Sequence, residues 1–346
     1  MSFLSKVKSL LPVSSRTVHA MYAELYDLLS KQRSEQAAFE GQASLMLWEL
    51  YRREGESLGD AHKRLYHGLS HAEGGMRLYQ LANAQLLHEF DAFCKKEGLS
   101  YWMVSGTLLG AVRHRGFIPW DDDLDVGMLR ADLDALILAA EKDDRYRLSV
   151  RYDRLALCRQ IRFGYADESI PCFVDVFSFD PVAHADAQTF DCRESAREQL
   201  KSELVSNGDL GFWNETDYYL DTQDGRAPLV SSHFINRIKS LYDDGVFVED
   251  INDAEGIIWG IDNNDSFVRH HDWYLIPKEA IFPLQTLSFE GFDLNSPADA
   301  DKCLSDIYGD IYELPDDLAS HYHHVSQREI AEGEVGERLK EVISRS

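Results

Sequence analysis

A chain of 346 residues with 60 acidic against 35 basic side chains, a formal charge of −25, lacks the basic face that nucleic-acid binding demands. Its 44% hydrophobic share argues against disorder, no apolar run approaches the roughly 18 residues that span a bilayer, and the start has no secretory signal, so the cytoplasm is the expected compartment. Five scattered cysteines without a C-x-x-C pair argue against a disulfide framework or a cysteine–zinc site.

Residues 1–12 set Phe3, Leu4, Val7, Leu10 and Leu11 on one helical face beside Lys6 and Lys8. That face suits a short helix packed on its own protein, or a weak peripheral contact with an anionic inner membrane face. Residues 16–97 read as helical: Met21, Leu25, Leu28 and Leu29 recur at helical spacing, as do Leu45, Leu47, Trp48, Leu50 and Tyr51, and these stripes read as core. A third helix is expected from about Gly75 to a stop at Gly98, with Lys95 and Lys96 in its last turn.

Tyr101–Val104 then reads as a short buried strand, Ser105-Gly106-Thr107 as a turn, and the next residues as a short helix towards Arg113. Arg130 to Lys142 is helical, and strands are expected near Leu157–Phe163 and Cys172–Phe177. Residues 183–265 read as an acidic helical insertion carrying acceptor contacts. A hairpin follows at Gln285–Leu294, then a last helix over Pro297–Tyr308 and a loosely held charged tail after about Val325. The expected fold is α+β, a mixed sheet flanked by helices. The expected domains are an N-terminal helical region at 1–97, a catalytic domain at 98–325 and a tail at 326–346.

The chemistry concentrates at Trp120-Asp121-Asp122-Asp123-Leu124-Asp125. Along a strand Asp123 and Asp125 share a face while Leu124 and Val126 point to the core. Paired carboxylates repel unless a cation lies between them, and Mg²⁺ or Mn²⁺ binds through a few carboxylates plus substrate phosphates. Asp175, alone in the apolar run Cys172–Phe177, is a third acid for the same site, and Asp121 a fourth. An EF-hand reading fails because its sixth position, Val126, should be glycine. Ser105, Gly106 and Thr107 suit a phosphate at a helix N-terminus, Arg113 and Arg162 suit phosphate oxygens, and Trp120 borders the acids on the substrate side. His270-His271 and His321-Tyr322-His323-His324 lack metal-site spacing and read as exposed tract.

Ser105 through Asp125 closely resembles the signature of the LicD family, and Phe173–Asp180 resembles its second motif. Trp273-Tyr274, Phe282-Pro283, Phe289-Glu290-Gly291 and Tyr308-Gly309-Asp310 resemble later landmarks in the same order. The resemblance covers about Tyr101 to His321. Ser178 departs from it where proline is frequent, and Gly164-Tyr165 where a threonine-bearing segment is usual. It implies a nucleotidyltransferase-type fold and Mg²⁺-dependent transfer of a phospho-head-group, phosphocholine or a polyol phosphate. The implied donor is CDP-linked and the acceptor a hydroxyl of a cell-surface glycan or its lipid-linked precursor. Asp123 and Asp125 would be the metal pair and Asp175 the third acid. A D-x-D glycosyltransferase using a nucleotide sugar is the alternative, and a non-catalytic scaffold a third reading.

Overall fold

The computed structural model describes residues 15–215, 219–264, 275–312 and 333–345. Residues 1–12 and both histidine tracts lie outside them, as does Trp273-Tyr274. The chain forms two compact units, residues 1–65 and 66–346.

The first unit holds α1 (Ser15–Tyr51) and most of α2 (Leu58–His67). Ser57 caps α2 reciprocally: its hydroxyl accepts from the Asp60 N–H at 3.1 Å and donates to the Asp60 carboxylate at 2.6 Å. Arg64 grips Glu56 with two bonds of 2.8 and 2.9 Å while its guanidinium lies over the Tyr51 ring. The α1 stripes expected to be core are not: Leu25, Leu28, Leu45, Leu47 and Leu50 are exposed. Within this unit Trp48 packs on His62 and Arg64 on Tyr51 where α2 meets α1, while those leucines of α1 stay exposed. No helix among the described residues is long and apolar enough to cross a membrane.

In the second unit α3 (Gly74–Glu97) stops where expected, with Gly98 at φ 71° returning its N–H to the Cys94 carbonyl. Its apolar side, Tyr79, Leu86, Leu87, Phe90 and Phe93, enters the main core. The fold is α+β, as expected. The strands are β1 (Trp102–Met103), β2 (Asp125–Leu129), β3 (Tyr146–Asp153), β4 (Cys158–Tyr165), β5 (Phe173–Val182) and β6 (Tyr219–Asp221), followed by β7 (Gly256–Trp259) and β8 (Leu275–Pro277). They form one mixed sheet in the order β1-β2-β5-β4-β3-β6, with β7 on the far half of β5 and β8 beyond it. The β2–β5 pair is parallel, with Asp125 opposite Asp175; β4 lies antiparallel on the other side, with Arg162 opposite Asp175. A separate hairpin joins β9 (Gln285–Phe289) to β10 (Phe292–Ser296).

Residues 183–265 are more than a helical insertion. They contain α6 (Ala187–Ser206), α7 (Gly211–Glu215) and α8 (Ala227–Asp243), yet also β6 and β7, which join the main sheet. Leu200, Leu204, Trp213, Leu220, Val230 and Phe234 form a second core there, closed against Tyr152 and Leu157. On the sheet face away from Asp175, Arg130 binds Asp180 (2.5 and 2.7 Å) and Asp262 (2.8 and 3.2 Å), and the Ser178 hydroxyl donates to Asp262 at 2.7 Å. Burial alone would raise the Asp262 pKa. The Arg130 and Arg159 charges and the bonds from Arg130 and Ser178 overcome it and hold the carboxyl far below the usual range.

Helix α10 (Ala300–Tyr308) matches the expected last helix but is not the last. The tail expected to be loose contains α11 (Glu334–Ile343), which lies against α3. Val335, Leu339, Val342 and Ile343 recur at helical spacing among charges, and Leu339 and Val342 are fully buried. Leu339→Ala should therefore cost about 2–4 kcal/mol in urea unfolding, whereas exposed Lys340→Ala should stay within about 0.5 kcal/mol. Equal midpoints for the two variants would mean that α11 contributes no packing.

Candidate active site

β1 ends at Met103, Val104 is extended, and Ser105 turns the backbone at φ 47° into α4 (Ser105–His114). A non-glycine residue in the left-handed region is uncommon and costly unless the surroundings enforce it. Val104 occupies the N-cap position, so no side chain caps the first turn of α4. Gly106 in that turn is required: a Cβ there would lie 2.8 Å from an Asp121 carboxylate oxygen. Thr107 is buried, and its hydroxyl accepts the Asp125 N–H at 2.7 Å. That bond ties the turn to the strand carrying the acids.

Asp125 begins β2 and Asp123 lies two residues earlier, in the loop before the strand. Leu124 and Val126 are fully buried, so the alternation expected of this stretch holds. Residues directly opposite on adjacent strands share a face, which sets Asp125, Asp175 and Arg162 in one row across β2, β5 and β4. Arg162 forks onto Asp175 (2.9 and 3.2 Å) and stacks over Phe173 at 3.8 Å.

The pKa values of Asp123 and Asp125 are pushed well above the ordinary carboxylate range. Desolvation is the first cause for both. Asp125 and Asp121 act next on Asp123, Asp175 and Asp121 on Asp125, and Arg162 offsets only part of the effect on Asp125. An all-oxygen set of acids with too little positive charge suits a hard divalent cation. Among the described residues no group of three or more His, Cys, Asp or Glu side chains forms a ready metal cage. A cation here would thus draw further ligands from a bound phosphate or water, as Mg²⁺ commonly does.

The other candidates separate. Trp120 is half-buried against the core beside the acids. Arg113 lies eight residues along α4 from Ser105, about 12 Å away along the helix axis. It is buried over the Tyr66 ring at 3.6 Å, with Nε and Nη2 lacking hydrogen-bond partners among the described residues. Two residues outside the sequence-derived site set also bear on it. Tyr308, at the end of α10, has its phenol pKa raised by desolvation and then by Asp125, Asp121 and Asp123. Buried Glu290 accepts the Phe117 N–H at 3.0 Å and donates its own N–H to the Arg115 carbonyl at 2.8 Å. Both had a sequence signal, as parts of the Tyr308-Gly309-Asp310 and Phe289-Glu290-Gly291 landmarks.

A carboxyl whose folded pKa is raised makes the metal-free protein more stable as pH falls towards that pKa. Asp123→Asn should therefore melt higher than the parent in EDTA at pH 8, by roughly 2–4 °C for each kcal/mol of repulsion relieved. The difference should shrink by pH 5, as the parent's acids take up protons. A variant that melts lower than the parent at both pH values would place Asp123 in a stabilising contact instead.

Residues 98–206 match the family model described as LicD/FKTN/FKRP, nucleotidyltransferase domain. The chain is 34% identical over 119 residues to the lipopolysaccharide cholinephosphotransferase LicD of Haemophilus influenzae, covering 31% of this chain and 45% of that protein. It is 50% identical over 36 residues to the human ribitol 5-phosphate transferase FKRP, covering 10% of this chain and 7% of that protein. The chain thus spans less than half the length of these curated relatives. The matched segment, which contains the α4 turn, the acid loop, Arg162 and Asp175, is similar to the LicD/FKTN/FKRP nucleotidyltransferase domain.

Proposed function

We propose that the chain transfers a phospho-head-group, phosphocholine or a polyol phosphate, from a CDP-linked donor to a hydroxyl of a cell-surface glycan or its lipid-linked precursor. The observation that carries this reading is the row Asp125–Asp175–Arg162 beside the first turn of α4, which no side chain caps. The activities of the relatives, cholinephosphate and ribitol 5-phosphate transfer, support it.

Asp123 and Asp125, with Asp121 and Asp175, would hold Mg²⁺ or Mn²⁺, which when bound neutralises charge on the donor diphosphate and the departing CMP. The first-turn N–H groups of α4 suit phosphate oxygens, aided by the positive end of the helix. Arg162 orients Asp175 and adds positive charge beside the transferring group. Each Asp175 oxygen gives one lone pair to Arg162 and keeps another for a cation or for the proton of the attacking hydroxyl. Ser105 and Trp120 border the same space and would contact the donor.

Incubating the protein with CDP-choline, CDP-ribitol or a UDP-sugar, each with Mg²⁺, and identifying the released nucleotide by mass spectrometry tests the reading. CMP release is expected, and Asp125→Asn should lower it by about 100-fold or more. UDP release from the sugar donor would favour the glycosyltransferase alternative, and near-normal turnover in Asp125→Asn would remove the acid row from the chemistry.

The reaction would take place in the cytoplasm, where residues 1–12 would add a weak peripheral contact with the inner membrane face. Anionic lipid should strengthen that contact by roughly 1 kcal/mol per lysine. Co-sedimentation of the full chain with anionic liposomes should exceed that of a form lacking residues 1–12. Equal recovery in the supernatant would leave the contact without support.

A further inference from the structure

The loop from Gly116 to Leu124 has no regular secondary structure, yet Phe117, Ile118, Asp121, Asp122 and Leu124 are buried. A buried loop must find partners for its backbone groups outside itself. Three of its carbonyls are bonded from α3, which lies outside the matched segment. Gln80 is 1% exposed, and its amide nitrogen donates to the Ile118 carbonyl at 3.2 Å and the Asp121 carbonyl at 2.8 Å. Asn83, also 1% exposed, donates to the Asp122 carbonyl at 3.3 Å and accepts the Phe173 N–H at 3.2 Å. Arg77 forks onto Glu290 (2.8 and 2.6 Å), whose carboxylate holds the Phe117 N–H. Gly116 leaves room for that carboxylate: a Cβ there would lie 2.4 Å from it.

Arg77, Gln80 and Asn83 are spaced by three, so they line one side of α3. Buried amides on a helix that otherwise packs apolar side chains are costly unless every bond is made, and here both are bonded to backbone of the acid-bearing segments. Asn83 is the most telling. One side chain bonds the residue before Asp123 and the residue two before Asp175, so it fixes the loop acids relative to the strand acid.

We propose that Arg77, Gln80 and Asn83 of α3 are positioning residues that set the distance between Asp123 on the loop and Asp175 on β5. The claim about geometry stands by itself; its catalytic consequence rests on the function proposed above. A shift of about 1 Å in a reacting group can cost about 100-fold in rate, so a loosened rail lowers kcat more than it raises KM.

The test uses the full chain with Gln80→Met, which keeps length and volume but removes both donors, and Arg77→Ala, which removes the fork on Glu290. Leu86→Ala, on the apolar side of the same helix, controls for lost stability. Hydrogen exchange by mass spectrometry over residues 116–125, with kcat and KM for nucleotide release, gives two independent readouts. Exchange in that segment should rise at least about tenfold in Gln80→Met relative to the rest of the chain, with kcat down about 10- to 100-fold and KM changed less than about threefold. Arg77→Ala should raise exchange chiefly around residues 116–118. Parent-like exchange over 116–125 in both variants overturns the proposal, as does a Leu86→Ala variant that reproduces both effects. Selective exchange in Gln80→Met, with a parent that releases no nucleotide, would support the rail and reject the proposed reaction.

Discussion

Carboxylates crowded at one end of a sheet repel one another, and the architecture around Asp121, Asp123, Asp125 and Asp175 is arranged to withstand that repulsion. Desolvation and mutual charge raise the proton affinity of Asp123 and Asp125 together, so neither is comfortable ionised without a cation. The backbone cannot relax away. Asp125 is held by the Thr107 hydroxyl and the parallel register with β5, Asp175 by Arg162, and the loop acids by carbonyl bonds from α3. Local strain at Ser105 and the missing side chain at Gly106 belong to the same compression.

The sheet separates two kinds of charge chemistry. On the Asp175 face the acids outnumber their partners, and the pKa values of Asp123 and Asp125 rise. On the other face Arg130, Asp180 and Asp262 are matched, and Asp262 is driven in the opposite direction. The first arrangement suits a site that must accept positive charge. The second suits a fixed brace, in which removal of any one partner leaves a buried charge uncompensated.

Much of this was legible in the sequence, for physical reasons. The Asp123–Val126 alternation, the small residues at 105–107 and the lone acid in an apolar run each follow from short-range geometry, and each of those residues lies at the acid end of the sheet. Strand β3 was equally readable, since Tyr146, Leu148, Val150 and Tyr152 alternate, but it is absent from the sequence expectation. Strands β6 and β7 carry too few residues for a period, so only their partners reveal them. The Asp175–Arg162 fork and the α3 rail depend on register and on sequence separations that no local pattern encodes. Gln80 and Asn83 did carry a hint, as amides at helical spacing inside an apolar stretch. The α1 stripes show the converse: helical spacing of leucines records an amphipathic surface, and burial requires a partner.

The second core has a consequence for how such a protein changes over time. The excursion that begins after Val182 returns at Gly256, and these two residues are paired directly across β5 and β7. Its exit and entry points are therefore a strand spacing apart, about 5 Å, and stay fixed whatever the chain does between them. With its own interior around Trp213 and Phe234, this cassette also meets the main sheet where β6 pairs with β3 and where its core closes on Tyr152 and Leu157, and Arg193 and Arg197 steady it on the carbonyls of residues 259–263. A replacement of different length that keeps these ends and the contacts on β3 would leave Asp125 and Asp175 in register.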